Sequence, residues 1–189
     1  MPRGVTRLHR VFVSVPDSRK PSQPGHPLYL PAQAAGRIDD PKGEYRVWYC
    51  AEDWRVSVCE KFRDYSVWEA AILQAPPNMP EGSVMAMATL TGQFSLCDMD
   101  NLSTLGSLDL RPSRVVTPDR SQTQAWARKI YAGMPGNVYD GATWWCHWNS
   151  DHSAAGVWDL SNVDEVEIDV LTVDHLREAA PLINRMVQG

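Results

Sequence analysis

The sequence lacks the motifs of the commonest nucleotide-dependent and metal-dependent enzymes. No GxGxxG or P-loop pattern occurs, so neither a Rossmann fold nor an NTPase is indicated. No HExxH pattern and no close cluster of histidines and aspartates occurs, which argues against a metal site. Internal repeats and low-complexity tracts are absent too. We therefore expect a protein without a bound metal or cofactor.

Cysteine and long apolar runs are also scarce. The four cysteines form no CxxC pair, and their spacing fits no zinc motif. Cys50, Cys59 and Cys97 lie in apolar contexts, which predicts buried free thiols. No apolar run approaches the roughly 20 residues of a membrane span, and the N-terminal residues contain no signal-peptide h-region. These absences predict a cytoplasmic protein that does not cross a membrane.

The sequence has fewer basic than acidic residues, and its formal net charge is −5. Such a balance argues against general affinity for nucleic acid or for an anionic membrane surface. An anionic ligand would need a local basic pocket within an acidic surface. The length of 189 residues fits a single domain that spans residues 1–189.

Hydrophobic periodicity predicts strands and helices without a regular βαβ rhythm. Strands are predicted over residues 7–15, 45–51, 83–90, 93–96, 137–147, 154–160 and 165–170, the third and fourth being joined by a Thr-Gly turn. Helices are predicted over residues 54–63, 66–74 and 101–105, from a cap at Thr117 to about residue 132, and over residues 172–187. This order favours an α+β fold with a mixed or antiparallel sheet core and flanking helices.

The most informative stretch covers residues 36–60. Arg37 lies in a polar turn, Tyr49 near the end of an apolar strand, and Glu60 on a half-apolar helix. An arginine holds phosphate, an aromatic ring holds a ribose or base, and a carboxylate meets developing positive charge. The set suits cleavage of an anionic nucleotide at its glycosidic bond.

Each of these three residues also has a structural interpretation. Arg37 could be a surface arginine paired with Asp39 or Asp40, and Tyr49 could be a core tyrosine. Glu60 could pair with a basic neighbour on its own helix. Taken singly, none of the three residues shows whether its role is in a functional site or only in the structure.

Residues 121–131 open a helix with hydroxyl and amide side chains, including Ser121 and Gln124. The positive end of a helix binds phosphate or a sugar hydroxyl well, although simple capping is the alternative.

Further along the sequence, Cys146 precedes His147, which suggests a cysteine–histidine nucleophile. Adjacent residues on a strand point to opposite faces, however, so this pair would need a bulge.

Three blocks in this order resemble the RES domain, a family named for its arginine, glutamate and serine. They read GRIDDPKGEYRVWYCAEDWRVSVCEKFR, TQAWARKIY and DGATWWCHWNSDHSAAGVWD. The resemblance extends over residues 7–160. It implies a fold related to that of ADP-ribosyltransferases.

The resemblance also implies a function. The family includes toxins of type II toxin–antitoxin pairs that destroy NAD+ by phosphorolysis or hydrolysis of its nicotinamide–ribose bond. NAD+ is then a substrate, and inorganic phosphate is a candidate co-substrate. The implied partner is an Xre-like antitoxin that blocks the active site, and a homodimer is compatible with the family. A weakly catalytic nucleotide- or partner-binding protein and an ADP-ribosyltransferase are the alternatives.

By position, the resemblance assigns catalytic roles to Arg37, Tyr49 and Glu60. It assigns substrate binding to Arg10, Ser121, Gln124 and Cys146. The family serine falls at Cys146, where the chain departs from the pattern. Because a thiol is a weaker hydrogen-bond donor than a hydroxyl, either activity is reduced or Ser121 supplies the hydroxyl.

Overall fold

A mixed sheet of six strands, with four α-helices around it, is seen in the computed structural model, which describes residues 2–31, 35–133 and 138–188. The strands are β1 (Pro2–Ser14), β2 (Trp48–Ala51), β3 (Val84–Asp98), β4 (Gly141–Trp145), β5 (Ser153–Val157) and β6 (Val163–Val170). The helices are α1 (Trp54–Phe62), α2 (Leu102–Ser107), α3 (Arg120–Tyr131) and α4 (Val173–Ala179). Short 3-10 helices cover Ala70–Leu73, Pro112–Arg114 and Ala180–Ile183. The predicted α+β class is confirmed.

The strand order is β1-β2-β5-β4-β3-β6, and β1 also pairs with β3. The pairing therefore closes through β1, β2, β5, β4 and β3, with β6 added at the side of β3. All of these pairings are antiparallel except that of β3 with β4. Closure brings β1, β2, β4 and β5 next to one another, although β1 and β5 are separated by most of the chain.

Strand β3 corrects one sequence prediction. Two strands joined by a Thr91-Gly92 turn were expected, but β3 runs without interruption from Val84 to Asp98. The strand is irregular at this point, because its register shifts against β6 between Thr91 and Gly92 and against β1 between Thr91 and Phe94. The glycine is needed for packing, because a Cβ at Gly92 would collide with the carbonyl oxygen of Asn162. Gly92 therefore marks a close backbone approach within a strand.

Helix α1 forms as the sequence predicts. The side chain of Asp53 accepts a hydrogen bond of 2.9 Å from the backbone N–H of Arg55, which caps the helix. Val58 and Phe62 lie in the core, as their spacing of four predicts, while Trp54 is only half-buried. The burial of this face against β1 and α4 fixes the direction in which Glu60 points.

Helix α3 begins later than predicted. Its N-cap is Asp119, whose carboxylate accepts from the backbone N–H of Ser121 at 3.0 Å. Thr117 instead accepts from the backbone N–H of Asp119, and Pro118 precedes the helix. A carboxylate two residues before an N–H caps it directly and also complements the helix dipole, so Asp119 takes the place expected for Thr117.

The last helix is shorter than the predicted 172–187. Helix α4 ends at Ala179 and continues as a 3-10 helix only to Ile183. Pro181 lacks an N–H, and Asn184 adopts a left-handed conformation with φ of 54°, which ends the helix. Val187 pairs with Trp68 in an isolated bridge instead of continuing the helical stripe.

The remaining elements match their predictions in type and differ in extent. The prediction for residues 66–74 contracts to a 3-10 helix, while the strands predicted from residues 7 and 165 begin earlier. The strands predicted over 45–51, 137–147 and 154–160 are shorter, and Asn137 lies outside the described residues. Within the described part of the chain, no helix is long and apolar enough to cross a membrane.

Candidate active site

A cavity of about 350 Å³ opens beside α1, where β1, β2, β4, β5 and the start of α3 meet. The charged side chains that line it are Arg10, Arg37, Glu60, Lys61, Arg63 and Arg120. The rings of Tyr49 and Trp144 also line it and lie edge to face, with centroids 6.4 Å apart. The cavity therefore combines one carboxylate, several cations and two aromatic surfaces.

Glu60 is held from two sides. Its Oε1 accepts from the Cys146 thiol at 3.2 Å, and its Oε2 accepts from Arg63 Nη1 at 2.6 Å. The structural alternative, in which Glu60 pairs with a basic neighbour on its helix, is thus correct as well. The carboxylate side chain keeps 28% of its surface exposed, so it pairs with Arg63 and still borders the cavity.

Arg37 does not pair with either neighbouring aspartate. Its Nη1 donates to the backbone oxygens of Val115 and Thr117 at 3.4 and 3.3 Å. Asp39 instead accepts from the Gly36 N–H, while Asp40 pairs with Arg128 at 2.8 Å. The surface ion-pair interpretation of Arg37 is therefore wrong, and its guanidinium faces the cavity.

Burial and charge both act on Arg37. Loss of solvent around the guanidinium lowers the pKa of Arg37, and the nearby charge of Arg120 lowers it further. The carboxylate of Glu60 acts in the opposite direction and raises the pKa. The guanidinium stays protonated, but it sits in a field that an added anion would relieve.

Tyr49 uses its hydroxyl for structure. The phenol donates to Asp39 Oδ1 at 2.7 Å and accepts from the backbone N–H of Ile38 at 3.0 Å. Burial, followed by the hydrogen bond to Asp39, raises the pKa of Tyr49 above its ordinary value. With both roles of the hydroxyl taken, Tyr49 presents its ring to the cavity. A Cβ at Gly36 would collide with this hydroxyl and with Asp39, so the turn requires glycine there.

Arg10 lies on β1 and lines the cavity. Its guanidinium is 5.7 Å from the centroid of the Trp48 ring, and its Nη1 donates to the carbonyl of Tyr29 at 3.0 Å. Burial lowers the pKa of Arg10. The contact with Tyr29 ties the proline-rich connection over residues 16–31 to this edge of the cavity.

Cys146 lies just after β4 and is buried. Burial, and then the charge of Glu60, raises the pKa of its thiol to about 11, so the thiol is neutral near pH 7. Its partner is Glu60, whereas His147 is exposed and stacks edge to face on Trp148. The geometry gives no support to a cysteine–histidine nucleophile.

Ser121 and Gln124 do not line the cavity. The exposed Ser121 hydroxyl donates to Oδ1 of the N-cap residue Asp119 at 2.6 Å, so Ser121 belongs to the capped, solvated first turn that was the structural alternative. Gln124 Nε2 donates to the carbonyl of Gly36 at 3.1 Å, and the Thr123 hydroxyl donates to the carbonyl of Arg37. The start of α3 thus positions the backbone of Arg37, while substrate contact by Ser121 and Gln124 remains a prediction.

Sequence reasoning missed three cations of the cavity, Lys61, Arg63 and Arg120. Lys61 lies on α1 and Arg63 follows its end, and the sequence indicated them only as ion-pair partners of Glu60. Arg120 is the first residue of α3, directly before the hydroxyl and amide cluster that drew attention. The positive end of this helix was the signal that could have found it.

No group of three or more His, Cys, Asp or Glu side chains suited to a metal ion occurs over residues 2–31, 35–133 and 138–188. The cavity itself offers cations, a carboxylate and aromatic rings. These suit a ligand that carries negative charge at one end and a planar group at the other.

Comparison with known proteins agrees with the three sequence blocks. The RES domain profile matches residues 7–176. A chain in the crystal structure of the M. tuberculosis MbcT–MbcA toxin–antitoxin complex has a similar fold, with a TM-score of 0.57 and 14% sequence identity. The match covers 95% of this chain and 92% of that one. No curated protein sequence matches the chain. Because the profile spans most of its length, the chain belongs to the RES domain family.

Proposed function

We propose that the protein cleaves the nicotinamide–ribose bond of NAD+ and passes the ADP-ribosyl group to phosphate or water. The observation that carries this proposal is the position of Glu60, which, of the residues described, supplies the one carboxylate that lines a basic, aromatic cavity. An anionic dinucleotide supplies charge for the cations and a planar base for the rings of Tyr49 and Trp144.

Glu60 acts on the reacting carbon. As the bond to nicotinamide breaks, positive oxocarbenium charge develops at the ribose carbon, and an ionised carboxylate stabilises it or holds the ribose 2′-hydroxyl. Nicotinamide leaves as a neutral molecule, so no general acid is required. Arg63 and Cys146 fix the carboxylate in place, since each contacts one of its oxygens.

Arg37 and Arg10 bind the diphosphate, and Tyr49 lies against the nicotinamide or ribose. The hydroxyl of Tyr49 already donates to Asp39, so its ring is held rigidly at little further entropic cost. A rigid ring and two anchored guanidinium groups position the dinucleotide before the reaction begins.

Phosphorolysis is the favoured form of the reaction. Among the residues that the structure describes, five cationic side chains and one carboxylate line the cavity. The diphosphate of a dinucleotide carries about two negative charges, which leaves cations free to bind a second anion such as inorganic phosphate. Water can take the same position when phosphate is absent.

The test is to incubate the purified protein with NAD+, with and without phosphate, and to follow free nicotinamide by chromatography. Phosphorolysis predicts release that depends on phosphate and a product of ADP-ribose 1″-phosphate. Release without phosphate indicates hydrolysis, and ADP-ribose bound to protein indicates transfer. If the folded protein releases no nicotinamide at any phosphate concentration, the proposal that it is an NAD+-cleaving enzyme is refuted.

In the cell, the protein acts as a cytoplasmic toxin that depletes NAD+ until an Xre-like antitoxin binds over the cavity. Membership of the RES domain family and the fold shared with a chain of a toxin–antitoxin complex support this role. Expression of the chain alone should arrest growth and lower cellular NAD+, and a cognate antitoxin should reverse both. Normal growth with unchanged NAD+ at high expression would remove the toxin role.

The second candidate is a protein that binds a nucleotide or a partner with little turnover. The observation in its favour is that both oxygens of Glu60 already have partners, and that one of them is a thiol where the family pattern has a serine. Binding of NAD+ without nicotinamide release in the experiment above would support this candidate.

A further inference from the structure

Arg120 carries a charge that the described part of the protein does not neutralise. It is the first residue of α3 and lines the cavity. Its Nη1 is buried and has no hydrogen-bond partner, and no carboxylate lies within ion-pair distance of it among the described residues. A buried N–H of a charged group costs stability when it is unpaired, so this arrangement suggests a ligand.

Another arginine on the same helix shows the contrast. Arg128 is neutralised by two carboxylates, Asp40 at 2.8 Å and Glu44 at 2.6 Å. Arg120, two turns earlier, lines the cavity together with Arg37, and its charge lowers the pKa of Arg37. None of the described carboxylates forms an ion pair with it. Arg128 therefore forms structural ion pairs, whereas Arg120 is available to bind a ligand.

Arg37 and Arg120 are held by one short segment. The carbonyl oxygens of Val115 and Thr117 fix the guanidinium of Arg37, and the chain reaches Arg120 three residues later. The Thr123 hydroxyl anchors the backbone of Arg37 to the first turn of α3. The Arg37 guanidinium is therefore fixed before a ligand binds, and Arg120 starts from a backbone that is tied to the same loop, so less entropy is lost when a ligand contacts both.

We propose that Arg37 and Arg120 form a clamp for a phosphoryl oxyanion, with Arg120 as the arm that the protein leaves unpaired. The inference deepens the proposed function and rests on it for the identity of the ligand, which is either the diphosphate of the dinucleotide or free inorganic phosphate. Planar guanidinium groups bind phosphoryl oxygens in bidentate fashion, and two of them match the several oxygens of one phosphate.

Binding to the purified full chain tests the clamp independently of turnover. Calorimetry with ADP-ribose and with inorganic phosphate is compared for the parent, Arg120→Gln, Arg120→Lys and the control Arg114→Gln, which removes an exposed arginine outside the cavity. Arg120→Gln should weaken binding of at least one probe by about 10-fold to 100-fold, as expected for charge-assisted hydrogen bonds. Arg120→Lys, which keeps the charge and loses the fork, should lie between, and Arg114→Gln should match the parent.

The probe that responds identifies the source of the phosphoryl group. Weaker binding of ADP-ribose alone assigns the clamp to the dinucleotide, and weaker binding of phosphate alone assigns it to the co-substrate. The melting temperature without ligand should stay the same or rise in Arg120→Gln, because repulsion of Arg37 is removed. A merely structural arginine would lower it.

Failure of this inference can be told from failure of the proposed function. Arg120-dependent anion binding without release of nicotinamide supports the clamp and counts against the enzyme. Release of nicotinamide with both probes bound within twofold of the parent in Arg120→Gln overturns the clamp and leaves the enzyme standing. A parent protein that binds neither probe also overturns the clamp.

Discussion

Replacement of Glu60 by glutamine tests the proposed chemistry most directly. The change keeps the size of the side chain and its ability to accept from Arg63, but it removes the negative charge that faces the reacting carbon. A unit charge about 4 Å from a developing positive charge, at an effective dielectric constant of about 20, contributes about 4 kcal/mol. Its loss should slow turnover by about 1,000-fold.

The affinity of the Glu60→Gln variant for ADP-ribose should not fall with its turnover. Glu60 is the only acidic side chain that lines the cavity in the described part of the chain, and its removal makes the cavity more basic. The affinity for ADP-ribose should therefore be equal to or higher than that of the parent. The ion pair with Arg63 is partly exposed, with side-chain exposures of 28% and 35%, so its loss should cost about 1 kcal/mol of unfolding free energy or less.

The assay is steady-state release of nicotinamide from NAD+, combined with calorimetry and thermal unfolding of the same preparations. Glu69→Gln is the matched control, since Glu69 is exposed and lies outside the cavity. Turnover of Glu60→Gln within tenfold of the parent would refute the role given to the carboxylate. A large fall in melting temperature would instead mean that Glu60 is structural.

Three further predictions concern neighbours of Glu60 and Arg37. Cys146→Ser keeps a donor to Glu60 and should retain or raise turnover, whereas Cys146→Ala should lower it about tenfold in steady-state kinetics; equal rates for both variants would contradict this. Gly36→Ala should lower the free energy of unfolding by about 1 to 3 kcal/mol and remove most of the activity, because the new Cβ collides with Tyr49 and Asp39. The control in denaturation experiments is Gly4→Ala, since Gly4 is exposed and a Cβ there is free of contacts. Equal stability of the two variants would be inconsistent with the prediction. The raised pKa of Cys146 means that its thiol ionises first in the unfolded chain, so this thiol should contribute up to about 2 to 3 kcal/mol to the fall in unfolding free energy between about pH 9 and 11. The other three cysteines, whose pKa values are also raised, add their own contributions, so the fall should be smaller in Cys146→Ser without vanishing. Identical pH profiles of the two proteins in urea unfolding would exclude the contribution of Cys146.

Local signals predicted local structure well. The helix predicted over residues 54–63 forms with nearly these bounds, because its cap at Asp53 and its apolar spacing both depend on residues within two turns. Gly92 was misread as a turn, since the reason for that glycine is the carbonyl of Asn162, 70 positions away. When a residue is required by a contact with backbone that is distant in the sequence, no local sequence pattern reveals that requirement.

The candidate site shows the same division. Arg37, Tyr49 and Glu60 were found because they stand in one block with a family pattern, and the cavity brings all three together. Arg120 was missed because a basic residue at the start of a helix usually lies in solvent. Its significance depends on the absence of a neutralising acid, which only the fold reveals.

The geometry also gives the second sequence block a physical meaning. Thr123 and Gln124 hold the carbonyl oxygens of Arg37 and Gly36, so the first turns of α3 act on the cavity through the backbone of the opposite loop. Arg120 enters the cavity from the same turns. A change that shifts the start of α3 must therefore move both guanidinium groups at once. Blocks that are distant in the sequence belong to one anion-binding unit, and the precision of that unit depends on the hydrogen bonds between α3 and residues 36 and 37.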